Sequence, residues 1–126
     1  MIEWTQPLML AGNWVPELIE LAGGRCDLTI PGHPSRTIAW DELAGFDPEV
    51  IVVCPCGFDE GRAAEETKLL ARREGWSKLS AVRRGQVFPI DGNAYFNRPG
   101  PRLVDSLELL ARICKSAGTM RENQCV

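Results

Sequence analysis

Glu49-Val50-Ile51-Val52-Val53-Cys54-Pro55-Cys56-Gly57-Phe58 is the stretch that decides the fold. Residues 50–54 are uninterruptedly apolar, and four of the five are β-branched. Two heavy atoms on Cβ stiffen χ1 and favour the pleated backbone. A strand that is apolar at every position, rather than at every second one, is covered on both faces, as in a parallel sheet. Pro55 and Gly57 then end it. The next segment, Asp59 to Glu74, reads as a helix. Its first residues, Asp59 and Glu60, are acidic, and Arg72 and Arg73 stand near its end, which matches the helix dipole. Gly75 is suited to the left-handed position that closes a helix.

The pattern repeats outward from there. Gln86 to Asp91 is a second strand, ended by Gly92-Asn93, and Pro89 places it at a sheet edge or a strand end. Met1 to Trp4 is a third. Trp14 to Ala22 reads as a helix with Asn13 as N-cap, Pro16 in the first turn and Gly23-Gly24 as its stop. A short helix starts near Trp40, with Asp41 and Glu42 in its first turn. In the last helix, Pro101 to Ala117, residues Leu103, Leu107, Leu110, Ala111 and Cys114 form one apolar stripe. Alternating strands and helices predict an α/β fold with a mostly parallel central sheet of about four or five strands flanked by helices. Ligands of such sheets bind at the loops beyond the strand carboxyl ends. The loops in question are Gln6 to Asn13, Pro55 to Asp59, and Gly92 to Pro101.

Composition sets the outer bounds. A chain of 126 residues that is 44% hydrophobic and 25% charged has the make-up of one globular domain with one core. We place that domain at residues 1–118 and a loose tail at 119–126. The longest apolar run is far short of the ~20 residues that cross a bilayer, so no membrane insertion is expected. The first basic residue is Arg25, which does not suit a secretory leader; the expectation for the chain as given is the cytoplasm. Residues 1–60 hold ten acids and two bases, and residues 61–126 seven acids and twelve bases. The bases are scattered over helix-like segments without an aromatic ladder, so nucleic acid is not an expected partner.

Three segments could carry chemistry. Trp14, beside Gly12 and Asn13, could offer its ring to a planar ligand or staple the helix onto the core. Cys54-Pro55-Cys56 could hold a soft metal or form a redox pair, or simply let a turn pack tightly. Tyr95, Phe96 and Arg98, ahead of the last helix, could hold an apolar ligand and its polar edge, or form a plain turn into that helix. Five cysteines at irregular spacing make no disulfide framework, and the lone His33 sits in a Pro-Gly-His-Pro loop. No nucleophile elbow, phosphate loop or His-x-x-x-His pair is present. The expectation is therefore a non-catalytic protein with no cofactor of its own.

Taken in order, several stretches resemble the carboxyl-terminal lobe of class III ABC-transporter substrate-binding proteins, of the cobalamin-binding type related to haem, siderophore and iron-chelate binders. They are Glu3-Trp4-x-x-Pro7; Gly12-Asn13-Trp14-Val15-Pro16-Glu17-Leu18 through Ala22-Gly23-Gly24; Trp40-Asp41-Glu42-Leu43 with Asp47-Pro48-Glu49; Cys54-Pro55-Cys56-Gly57-Phe58; Ala81-Val82-Arg83 with Gly85-Gln86-Val87-Phe88; and Asp91-Gly92-Asn93 with Asn97-Arg98-Pro99-Gly100-Pro101-Arg102. The resemblance runs from about Glu3 to Ala117.

It implies a three-layer, Rossmann-like lobe that binds a ligand and does no chemistry. The ligand would be a corrinoid, a haem-like tetrapyrrole or another iron chelate. Trp14, Phe58, Tyr95, Phe96 and Arg98 would face it. Asp41, with Glu42 beside it, falls where the family's rim acid meets the permease, although an acid in a first helical turn is also a plain capping feature. Family members are exported and have two lobes, whereas this chain matches one. The expected partners are then the ligand, an ABC permease, and either a second copy or a separate amino-terminal lobe. The rival expectation is a small cytosolic protein whose Cys54-Pro55-Cys56 turn binds metal or does thiol redox chemistry.

Overall fold

The structure is a computed structural model that describes residues 1–96, 103–117 and 123–124. The chain opens with a hairpin of β1 (Ile2–Thr5) and β2 (Leu8–Leu10), followed by α1 (Val15–Leu21) and the short strands β3 (Gly24–Arg25) and β4 (Arg36–Thr37). Next come α2 (Trp40–Phe46), β5 (Ile51–Val53) and α3 (Glu60–Leu70). A single 3-10 turn, Trp76–Lys78, leads into α4 (Ser80–Arg83), β6 (Val87–Pro89), α5 (Gly92–Tyr95), α6 (Leu103–Ser116) and β7 (Asn123–Gln124).

Five strands form one sheet in the order β4-β2-β1-β5-β6. β1, β5 and β6 are parallel, and β2 runs antiparallel to both its neighbours. β3 and β7 make a separate parallel pair. The fold is thus α/β with a mostly parallel sheet and helices on both sides, as the strand–helix alternation predicts. β5 has the double-sided burial that its composition requires. Val50 and Val52 pack with α1 and α6, whereas Ile51 and Val53 pack with α2, α3 and α4. All four are fully buried. β6 is an edge strand and Pro89 is its last residue, so the missing proline N–H costs the sheet nothing.

Several local expectations need correction. The segment Gln6–Asn13 is not simply a loop, because β2 lies inside it and pairs with β1 across a turn at Gln6-Pro7. Asn13 does not cap α1. It sits at φ 57, and its backbone bonds the 31–34 loop: its N–H donates to the His33 carbonyl (2.6 Å) and its carbonyl accepts from Gly32 N–H (2.9 Å). Trp14 holds the N-cap position without a side-chain cap. α3 stops at Leu70 rather than Glu74, so Arg72 and Arg73 lie beyond its last turn. Its start is as expected, with the Asp59 carboxylate accepting from Arg62 N–H at 2.9 Å. In α6 the buried positions are Ser106, Leu110, Ile113 and Cys114, with Leu103 and Leu107 flanking the stripe.

Asp47 joins two helices. At φ 48 it ends α2 in the left-handed conformation, and its carboxylate accepts from the backbone N–H and hydroxyl of Ser80 at 2.8 and 2.7 Å. Those two bonds hold its pKa below the ordinary carboxylate value. A depressed carboxylate pKa contributes stability above the unfolded value of 3.8 and loses it as pH falls through the folded value. Asp47→Ala should therefore cost about 1–2 kcal/mol at pH 7 in urea unfolding. Asp47→Asn, which tolerates the left-handed backbone, should cost less. The gap between wild type and both variants should narrow toward pH 3. A gap constant from pH 7 to pH 3 would rule out the carboxylate as its source.

Candidate functional site

β1 and β5 are in register only at Ile2 and Val53, so the rest of β1 runs past the end of β5. The junction continues through the turn: Cys54 N–H donates to the Ile2 carbonyl (2.9 Å) and Cys56 N–H to that of Glu3 (3.2 Å). Two glycines let other segments close on this point. A Cβ at Gly92 would lie 2.6 Å from the Cys54 carbonyl oxygen and 2.9 Å from that of Pro55. A Cβ at Gly12 would lie 2.4 Å from backbone atoms of Pro34 and Ser35. The Gly92 approach brings the start of α5 to the carboxyl end of β5, where α/β sheets bind ligands, and the Gly12 approach packs the residues leading into α1 against the 33–35 segment.

Trp14 is the centre of that mouth. It is half-buried, and its indole N–H donates to the Phe96 carbonyl at 3.0 Å. Trp14 lines a shallow hollow of about 50 Å³ with Glu3, Gly12, Asn13, Cys54 and Phe96. Tyr95 is also half-buried, and its ring centroid lies 6.2 Å from that of Phe96. Phe96 itself is only 2% exposed and packs in the core with Leu110 and Ile113. It offers the mouth a carbonyl anchor for Trp14 rather than an open ring. Arg98 lies outside the described residues.

Phe58 is not with this group. Its ring meets Trp4 (centroids 5.5 Å apart), and the Arg62 guanidinium lies 4.6 Å over it. Trp4, Phe58 and Arg62 line a separate groove with Leu69 and Leu70 of α3. Side chains alternate along a strand, so Glu3 faces the Trp14 hollow while Trp4 faces α3. Glu3 at the mouth and Trp4 in the groove could have been paired with their faces from that alternation. Gly12 and Gly92 carry no sequence signal beyond being glycines.

The two thiols of the turn differ in exposure. Cys54 is buried with its Sγ 3.6 Å from the Ile2 carbonyl, and burial pushes its pKa up to about 12. Cys56 is exposed. Among the described residues no group of three His, Cys, Asp or Glu side chains is placed to hold a metal ion. At the start of α2, Asp41 is exposed, whereas Glu42 is paired with Arg36 at 2.6 Å. Among the described residues no helix is long and apolar enough to cross a membrane.

With this geometry in place, the chain is similar in structure to the periplasmic vitamin B12-binding protein BtuF of Vibrio cholerae. The TM-score is 0.62 and the sequence identity 19%. The match covers 92% of this chain and 43% of that one, so the chain spans under half the length of the protein it resembles. The likeness is one of fold. No family model matches the chain, and no curated protein matches it in sequence.

A raised thiol pKa gives a signed prediction. Native Cys54 keeps its proton up to about pH 12, while the unfolded thiol loses it near 9.0. Between those values the unfolded state binds fewer protons, so stability falls with rising pH by up to about 1.4 kcal/mol per unit. In Cys54→Ala this alkaline slope should be smaller. Native-state labelling at pH 8, read by peptide mass, should modify Cys56 and leave Cys54 intact. Equal labelling of both would overturn the assignment.

Proposed function

We propose that this chain is a ligand-binding lobe that performs no chemistry, and that its ligand is cobalamin or another tetrapyrrole-like molecule or iron chelate. The observation that carries the reading is the BtuF-like fold, which extends over 92% of the chain. The arrangement at the end of β5 supports it. Trp14 and Tyr95 are the half-buried aromatics there, and Arg98 follows Tyr95 closely in the chain. A hollow of about 50 Å³ is well below the roughly 300–1,000 Å³ of a complete small-molecule pocket. That size suits a floor on which a large flat ligand rests while a second lobe, or a second copy, covers it. On the rim, Asp41 is the acid free of an ion pair among the described residues, so in this reading it makes the contact with an ABC permease and Glu42 does not.

The rival reading, thiol redox or metal chemistry at Cys54 and Cys56, is less well supported. A buried thiol with a pKa of about 12 supplies almost no thiolate at neutral pH.

The test is titration with cyanocobalamin and with haemin, followed by tryptophan quenching, calorimetry and light scattering on the same samples. Saturable binding of one of them is expected, with the mass doubling if two copies form the cleft. Trp14→Leu should weaken binding by about tenfold, or roughly 1.4 kcal/mol, with the far-ultraviolet circular dichroism unchanged. Absence of saturable binding up to about 1 mM, where the free energy is near −4 kcal/mol, would contradict the reading.

A further inference from the structure

We infer that the groove between the β1–β2 hairpin and α3 is a second binding site, on the opposite face of the sheet from Trp14, for a small planar apolar molecule that carries a carboxylate. This inference does not depend on the function proposed above.

The groove encloses about 470 Å³, within the range of small-molecule sites. Trp4, Phe58 and Arg62 line it together: the two rings are 5.5 Å apart at a tilt of 39°, and the Arg62 guanidinium lies 4.6 Å from the Phe58 centroid. A guanidinium over a ring face can still offer its N–H groups, and those match a carboxylate in geometry and charge. Arg62 and Glu66 are one helical turn apart, the spacing at which opposite charges on a helix pair. Here they do not pair, because Glu66 accepts a hydrogen bond from the Thr5 hydroxyl on β1. Arg62 is thereby left without an ion pair among the described residues. Arg73, in the same lining, has none either, and its guanidinium lies 5.5 Å from the Trp40 ring. The groove therefore has an aromatic wall, two unneutralised cations, and one acid already occupied by Thr5. A planar acid satisfies all three features. A cation would meet the two arginines, and a neutral hydrocarbon would leave them unused.

The test uses 2-naphthoate, with 2-naphthamide as its uncharged counterpart, in amide-resolved NMR titrations of the whole chain. Naphthoate should bind at least about tenfold more tightly than naphthamide. The backbone resonances of Thr5, Phe58, Arg62 and Glu66 should move together along one isotherm. Arg62→Gln changes an exposed side chain and should remove most of the difference between the two probes. Trp14→Leu should leave naphthoate binding unchanged. Equal affinity for the two probes, no saturation, or shifts confined to Trp14 and Tyr95 would each overturn the inference.

Discussion

Val50 to Val53 have no exposed surface, because α1 and α6 press on one side of β5 while α2, α3 and α4 press on the other. Each such side chain removed from water contributes about 1.5–3 kcal/mol. These four residues are therefore the constraint around which the rest is arranged. A strand sealed on both faces can exchange its chain direction only at its ends. At the carboxyl end, the chain escapes through Cys54 and Pro55. The sheet's continuation is left to β1, which overlaps β5 at a single register position. The Trp14 hollow and the Trp4–Phe58 groove both border that step.

The step also explains why two separate surfaces exist. Beyond the end of β5, the alternating side chains of β1 lose their covering neighbour. Glu3 turns toward α1 and Trp4 toward α3. Gly92 allows the α5 start to close on the first side, with an approach no Cβ would permit, and Gly12 lets the 33–35 segment pack against the residues leading into α1. Phe58 and Arg62 close on the second. The mouth and the groove are thus two consequences of one short strand overlap, with different chemistry on each side of the sheet.

Much of this was legible in the residues. The unbroken β-branched run marked a doubly covered strand, Pro89 marked an edge or a strand end, and the acids Asp59 and Glu60 marked the start of α3. β2 was not legible. Leu8-Met9-Leu10 is three residues long and follows a proline, so it has too little length to display a two-residue period. The end of α3 was misplaced because Arg72 and Arg73 imitate a helical last turn, although the chain has already turned toward Trp76. At the site, Trp14 meets the Phe96 carbonyl, but the rings of Phe96 and Phe58 point elsewhere than their sequence positions suggest. An aromatic residue next to a turn can face the core or either side of a sheet, and only packing decides which. Phe96 fills the core, and Phe58 joins Trp4 on the far face.

In the proposed function, the mouth at the end of β5, built around Trp14, receives a large flat ligand. The most direct test of this is the indole N–H resonance of Trp14, which is tied to the Phe96 carbonyl. In an NMR titration with cyanocobalamin, and separately with haemin, one of them should move this resonance in proportion to saturation. The indole signals of Trp40 and Trp76 should stay in place. Movement of the other tryptophans alone, or of none, would contradict it.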